Sequence, residues 1–240
     1  MDRLLAASEP VDDVLLAVTG RLGGVSAAPY DVLNLGGRVG DVAAHVEENR
    51  RRLAAAVGVA RDRLVLMDQV HSADVEIVTA APVVAPRVDA IVTDRRDLAL
   101  VALGADCAPV VLADTAAGVI GAAHVGRRGL VVGVLAAVVR AMRELGARDI
   151  LARVGPSICG RCYELPAGLV DEVGALVPGA VATTQWGTPG VDIGAGALEV
   201  LQGLGVAARR AGGCTYESRD LYSHRRDGVT GRHAAIVVRR

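Results

Sequence analysis

Residues 103–126 read LGADCAPVVLADTAAGVIGAAHVG, a Val- and Ala-rich run that sets a carboxylate, a thiol and an imidazole, Asp106, Cys107 and His124, inside what otherwise looks like core. A second imidazole, His71, stands in MDQVHSADV. One thiolate and two neutral imidazoles can bind zinc, and the same side chains can serve as a nucleophile with its base. The gaps of 36 residues (71 to 107) and 17 residues (107 to 124) match no local zinc motif of the CxxC…CxxC or HExxH kind. A free cysteine is also commonly a small buried hydrophobe. From these residues alone, metal ligation, thiol nucleophile and inert core all stay open.

The remaining thiols are Cys159 and Cys162, spaced CxxC in SICGRC, and Cys214. No second CxxC accompanies the pair and Cys214 alone cannot complete four ligands, so these read as ordinary structural thiols. His45 reads as a solvated surface group. His224 and His233 flank HRRDGVTGRH, which reads equally as a phosphate-binding stretch or a solvated turn.

Composition narrows the chemistry. All 26 basic residues of this 240-residue chain are Arg, which removes a P-loop lysine and a Schiff-base lysine. With a net charge of −1, no Phe, one Trp and four Tyr, both the basic field and the stacking platform of a nucleic-acid binder are missing. No run reaches the roughly 18 apolar residues of a membrane span, and MDRLLAASEPVDD lacks the features of a secretion signal. A cytoplasmic protein is expected, its four cysteines doing thiol or metal work rather than forming disulfides.

The elements that must position these groups follow from pattern and punctuation. Strands are expected at 14–19, 64–67, 74–79, 88–92, 98–103, 109–113, 118–124, 151–154 and 233–239, bounded by Asp, Pro or Gly. Helices are expected from a cap at Asp41 through Leu53, over 129–145 up to Gly146, over 166–176 and over 195–208. Between the first strand and first helix, RLGGVSAAPYDVLNLGG is a long loop, of a length that in a compact domain is usually functional or disordered. Runs of adjacent strands interspersed with helices predict an α+β fold, mixed sheets flanked by helices in a layered sandwich, formed by residues 1–240 as one domain. Cys107, His124 and His71 then fall at three strand ends, where sites are built.

The segments TGRLGGVSAAPYDVLNLGGRVGD, AHVEENRRRLA, MDQVHSADV, VDAIVTD, LGADCAPVVLAD, GAAHVGRRGL, VGPSICGRCYEL and SHRRDGVTGRHAAI, in this order, resemble the YfiH-like family. That family was once labelled polyphenol oxidoreductase or laccase-domain and is regarded as comprising zinc purine nucleoside phosphorylases. The resemblance spans nearly the whole chain, and NLGGRVGD, the QVH, ADC and AAH triplets and RRDGVTGR are its most specific parts. It implies a zinc ion held by His71, Cys107 and His124, with a fourth position open as in catalytic zinc sites. Two departures stand out. Where the family reads TADC and AHAGWRG, this chain has Gly104 for the Thr and Arg127 for the Trp.

The resemblance further implies phosphorolysis of adenosine, inosine and methylthioadenosine, with adenosine deamination as a second activity; purine nucleosides and phosphate are the expected partners. Phosphate must then be held by Arg forks, and Arg21, Arg38 and Arg226 in the matched motifs are the candidates, with Asn34 and Arg127 also expected at the substrate. Asp106 is the carboxylate available to carry a proton in deamination, unless the strand turns it away. Rival readings are a metal-free hydrolase using Cys107 with His71 or His124, a copper-dependent phenol oxidase and a non-enzymatic interaction protein. Copper oxidation fits poorly, since a multicopper centre consumes roughly ten imidazoles and this chain has five.

Overall fold

A computed structural model describes residues 4–240. Its strands are β1 (Leu5–Val11), β2 (Val14–Thr19), β3 (Leu64–Leu66), β4 (Val75–Ile77), β5 (Ala90–Thr93), β6 (Ala99–Gly104), β7 (Ala108–Asp114), β8 (Val119–Val125), β9 (Leu151–Val154), β10 (Val181–Thr183), β11 (Pro189–Val191), β12 (Ala207–Arg210) and β13 (His233–Arg239). The helices are α1 (Ala43–Val57), α2 (Arg127–Val132), α3 (Val134–Glu144), α4 (Ala167–Gly174), α5 (Ile193–Gly203) and the short α6 (His224–Asp227).

Two mixed sheets face each other. One runs β1-β2-β13-β6-β3, the other β12-β9-β7-β8-β5-β4, and β10 and β11 pair separately. Between the two lies an apolar layer that includes Leu16, Leu100 and Val237 from the first sheet and Ile91, Val111 and Ile120 from the second. The outer face of the first sheet packs on α1 through Leu53 and Val57. The outer face of the second packs on α2 to α5 through Leu130, Leu135, Val138, Val173, Ile193 and Leu201. Strands covered on both faces have no reason to alternate, which is why β6, β7 and β8 read as continuous apolar runs. This is the expected α+β layered sandwich. Among the described residues no helix is long and apolar enough to cross a membrane.

Several elements differ from expectation, each for a local reason. The predicted helix 129–145 is two helices, because Gly133 adopts φ +83 and breaks the ladder between α2 and α3. Asp41 does not cap α1. Its carboxylate instead accepts hydrogen bonds from Ser26 Oγ, Asn34 Nδ2 and Val42 N, and the helix continues past Leu53 to the left-handed Gly58. Asp192 caps α5, which ends at Gly203, so residues 207–208, expected as helix, belong to strand β12. β12 is exposed and partly charged, and β1, β10 and β11 also lack the apolar run that marked the central strands.

Register carries the chemistry to one end of the sandwich. Within β7 and β8, Pro109 pairs with His124 and Ala108 with Val125, so the β6–β7 turn holding Cys107 lies beside the end of β8. β5 runs antiparallel to β8 with Ala90 opposite Ala123, bringing Asp89 alongside. β13 starts with His233 opposite Gly104, which delivers the preceding Arg232 to the same turn.

Candidate metal centre

His71, Cys107 and His124, drawn from the loop after β3, the β6–β7 turn and the end of β8, offer donor atoms that all lie within 4.8 Å of one another. The two imidazoles meet edge to face, with ring centroids 4.7 Å apart. In a tetrahedral zinc site with bonds of about 2.0–2.3 Å, donor atoms sit about 3.5 Å from each other, so small side-chain adjustments close this set around one ion.

The cradle is shaped by Gly126. A Cβ there would fall 2.9 Å from both Cys107 Sγ and His71 Nδ1, so only glycine leaves the space between the ligands clear. A thiol and two imidazoles bordering a space too small for another carbon fit a borderline-soft cation of the zinc type.

Asp89, which the sequence reading did not single out, organises the three. Fully buried, it places Oδ1 2.8 Å from His124 Nδ1 and accepts hydrogen bonds through Oδ2 from the backbone N–H groups of Val70 and Ser72. The first bond fixes the His124 tautomer and leaves Nε2 for the cluster. The second and third clasp His71 from both sides, and His71 needs that clasp because its φ is +61, a left-handed conformation costly for a branched-ring side chain. A buried carboxylate immediately before the strand AIVT was the available signal for this role.

The groups around the site titrate in different directions. Burial pushes the Asp89 carboxyl upward, but the hydrogen bonds from His124, Ser72 and Val70 prevail and hold it down at about 2. His124 is driven the other way. Burial lowers its basicity, while the Cys107 charge and the Asp89 hydrogen bond raise it to about 9. His71 is lowered, first by burial and then by the charge of His124.

The triad opens into a cavity of about 1290 Å³. Of the residues expected at substrate, Asp106, Arg38 and Arg127 line it, as do Arg225, Arg232 and Tyr163. Three others do not, and each is held in the fold for a clear reason. Arg226 spends its guanidinium on the carbonyls of Thr215, Tyr216, Ser218 and Leu221 and on Asp227. Arg21 bonds to Asp31 and lies over the Tyr222 ring, 4.9 Å from its centroid. Asn34 is fully buried, giving its amide protons to Gly36 O and Asp41 and accepting the N–H groups of Gly36 and Arg232. Asn34 thus sets the backbone that carries Arg232 rather than touching the cavity itself.

Asp106 lines the cavity but both its oxygens are engaged. Oδ1 accepts from Thr215 Oγ1 at 2.7 Å and Oδ2 from the Arg225 backbone N–H at 2.6 Å. These bonds hold a residue whose φ is +92 and so fix the turn on which Cys107 stands. Both carboxylate oxygens thus help hold that turn in place. Arg127 ion-pairs with Glu172 at 3.0 Å from the first residue of α2. The Arg225 guanidinium lies over Tyr163, 4.8 Å from the ring centroid, and donates to Glu164 O.

The model of a family described as multi-copper polyphenol oxidoreductase laccase matches residues 15–240, the family whose members include YfiH. This chain is a YfiH-like protein. It is 51% identical to a Streptomyces coelicolor protein named purine nucleoside phosphorylase, over 98% of this chain and 99% of that one. It is 44% identical to a protein of that name from Corynebacterium glutamicum, over 99% and 98% of the two chains. Among solved structures, a Neisseria meningitidis protein superposes with a TM-score of 0.87 at 32% identity, covering 98% of each chain. YlmD from Geobacillus stearothermophilus gives 0.86 at 32% identity, covering 95% of this chain and 93% of that one. The YfiH-like sandwich thus accounts for the order of the segments in which its motifs occur.

Proposed function

We propose that this chain is a zinc-dependent purine nucleoside phosphorylase, acting on adenosine, inosine and methylthioadenosine, with adenosine deamination as a second activity. The observation that carries the reading is the convergence of His71, Cys107 and His124 at the wall of a cavity lined by arginines; the names of its relatives supply the reaction class. Residues 1–240 act in this reading as one catalytic domain, since β13, the last strand, lies between β2 and β6 in the first sheet. A cytoplasmic location goes with it, where reduced thiols and phosphate are both found.

His71, Cys107 and His124 would hold the zinc ion. Bound there, it supplies Lewis acidity, for charge developing on a departing purine and for lowering the pKa of water in deamination. The rest of the work falls to the chain. Phosphorolysis breaks the bond from C1′ to the base nitrogen while a phosphate oxygen attacks C1′, giving ribose 1-phosphate and free base through an oxocarbenium-like state. Phosphate must sit against that cationic carbon, and Arg232, Arg225 and Arg38 are the forks on the cavity wall able to hold it. Arg232 takes the place given to Arg226 in the sequence reading; burial lowers its pKa, and the charges of Cys107 and Asp106 oppose that shift. Burial and the Cys107 charge keep the Tyr163 hydroxyl protonated, so it remains an O–H donor for the leaving base.

Deamination needs a carboxylate that can take and return a proton. Asp106 borders the triad, yet it must release Thr215 or the Arg225 amide to do so. In this reading deamination is expected to be the slower of the two activities.

Copper oxidation finds little ligand support. Of five histidines in the chain, His224 Nδ1 bonds Gly228 O, His233 Nε2 lies 3.4 Å from Pro156 O, and His45 sits on α1, leaving two at the cluster. The thiol-hydrolase reading rests on the contact between Cys107 and His124. One experiment separates them. Purified protein given adenosine and phosphate should release adenine and ribose 1-phosphate, and Cys107→Ala should lose the zinc ion of this centre and turnover together. Absence of free base and sugar phosphate overturns the reading, and a chelator-resistant, alkylation-sensitive hydrolysis would replace it.

A further inference from the structure

The three cysteines read from sequence as ordinary thiols converge in the structure, together with a carboxylate. Cys159, Cys162, Cys214 and Glu217 offer one donor atom each, all within 4.8 Å of one another. We propose that these four residues form a second metal site, structural in type, for a thiophilic divalent cation, zinc by preference.

The spacing is that of two ligand pairs. Cys159-x-x-Cys162 is matched by Cys214-x-x-Glu217, so a carboxylate stands where a fourth cysteine would complete a pair of CxxC knuckles. Zinc accepts thiolate and carboxylate ligands together, and four protein donors leave no open position, which is the mark of a structural site. From sequence, the absence of a second CxxC makes these read as ordinary thiols, because a carboxylate stands in the fourth place.

The surroundings suit thiolates. The Cys159 N–H points at Cys214 Sγ at 3.4 Å, and Gln185 Nε2 lies 3.9 Å from Cys162 Sγ. Glu217 Oε1 sits 3.5 Å from Cys162 Sγ and 4.0 Å from Cys159 Sγ and has no other hydrogen-bond partner among the described residues. Cys162 is buried. Three thiols and a carboxylate crowded in this way repel one another when ionised; a dication removes that penalty.

The site would staple loops that build the cavity. Residues 157 and 214 form an isolated parallel bridge beside the cluster. The first loop carries Ile158 and Tyr163 of the cavity wall, and the second carries Thr215, whose hydroxyl holds Asp106. Cross-linking segments more than 50 residues apart in sequence restricts the unfolded chain and so favours the ordered wall.

Elemental analysis of the full-length protein, grown with zinc and purified under reductant, tests this. Two zinc ions per chain are expected in the wild type and one in Cys107→Ala. The double variant Cys159→Ser/Cys214→Ser should keep one ion and unfold at lower temperature. Glu217→Ala, at an exposed position, should keep the fold and lose on the order of tenfold in affinity for one of the two ions in chelator competition. With Co²⁺ as probe, Cys107→Ala should retain the intense near-ultraviolet thiolate-to-cobalt absorption, and Glu217→Ala should alter it. A single zinc per chain that Cys107→Ala removes completely overturns the proposal. So does a disulfide among these thiols in the reduced preparation, or a cobalt spectrum in Cys107→Ala without thiolate bands.

Discussion

Asp89 and His124 form a buried pair, Oδ1 to Nδ1 at 2.8 Å, and the other oxygen of the same carboxylate clasps the backbone on either side of His71. One side chain therefore aims both imidazoles. Partners of this kind fix ligand geometry before a metal arrives.

Asp89→Asn tests that coupling. An amide cannot accept from His124 and also from both the Val70 and Ser72 N–H groups, because one end of it donates. Zinc affinity should fall by about 10–100-fold, read by competition with a coloured chelator, with turnover falling in parallel. Wild-type affinity would show that Asp89 supports only the fold.

Gly126→Ala should empty the centre while sparing the sandwich. The added carbon would stand 2.9 Å from Cys107 Sγ and His71 Nδ1, and the backbone there has an ordinary negative φ, so strain is confined to the ligands. Zinc content should drop by one ion per chain, measured by elemental analysis, with helix and sheet content unchanged by circular dichroism. The thermal midpoint should move only by the equivalent of about 1–3 kcal/mol of overpacking.

The parts of this fold that could be read from sequence are those whose burial is two-sided. β6, β7 and β8 announce themselves because every position is buried and nearly every one is apolar. β12 went unseen because a half-exposed edge strand, AARR, leaves no such trace. At the centre, residue type together with the family resemblance found His71, Cys107 and His124. Asp89 escaped because its partners, Val70, Ser72 and His124, are joined only by tertiary structure. The matched motifs point to Arg226 and leave Arg232 unnamed for a similar reason. Both lie in the same arginine-rich stretch, and only the fold shows that the first caps a loop of carbonyls while the second reaches the cavity.

Gly104→Thr restores the residue more usual in the family but should not help this chain. A Cβ at position 104 would lie 2.6 Å from Cys107 O and 3.0 Å from Pro109 Cδ, both parts of the turn that carries the thiol. A loss of about 1–3 kcal/mol in denaturant unfolding is expected, with zinc content reduced as the turn shifts. A gain in activity at unchanged stability would show that the turn accommodates the larger residue.

Glu9 links the two sheets, its carboxylate meeting Arg153 of β9 at 2.6 Å and also Arg209 of β12. Hydrogen bonding from Arg153, then from Arg209, lowers its pKa to about 2 from an ordinary value of 4.5. A depressed carboxylate stabilises the folded state above its unfolded pKa and loses that contribution as pH falls toward the folded one. The thermal midpoint of wild type should exceed that of Glu9→Gln at about pH 6, with the gap closing between about pH 4.5 and pH 2. Partial exposure means that added salt should shrink the gap as well. A gap independent of pH would show that the pair contributes packing rather than charge.

Arg232 and Arg226 should separate phosphate binding from fold stability. Arg232 lines the cavity and donates through Nη1 to the carbonyls of Thr230 and Gly231, so its truncation removes a charge facing the substrate while disturbing one short loop. Arg226 ties together four carbonyls of the 215–221 loop and Asp227. Initial rates against phosphate at saturating adenosine should show Arg232→Ala raising the KM for phosphate by about tenfold or more, the equivalent of one charged hydrogen bond. Arg226→Ala should leave that KM nearly unchanged and instead lower stability by roughly 2 kcal/mol or more, since several buried acceptors lose their partner. The reverse pattern, a KM effect at position 226 and a purely thermal one at 232, would move the phosphate site out of this cavity and onto the surface of the 215–227 segment.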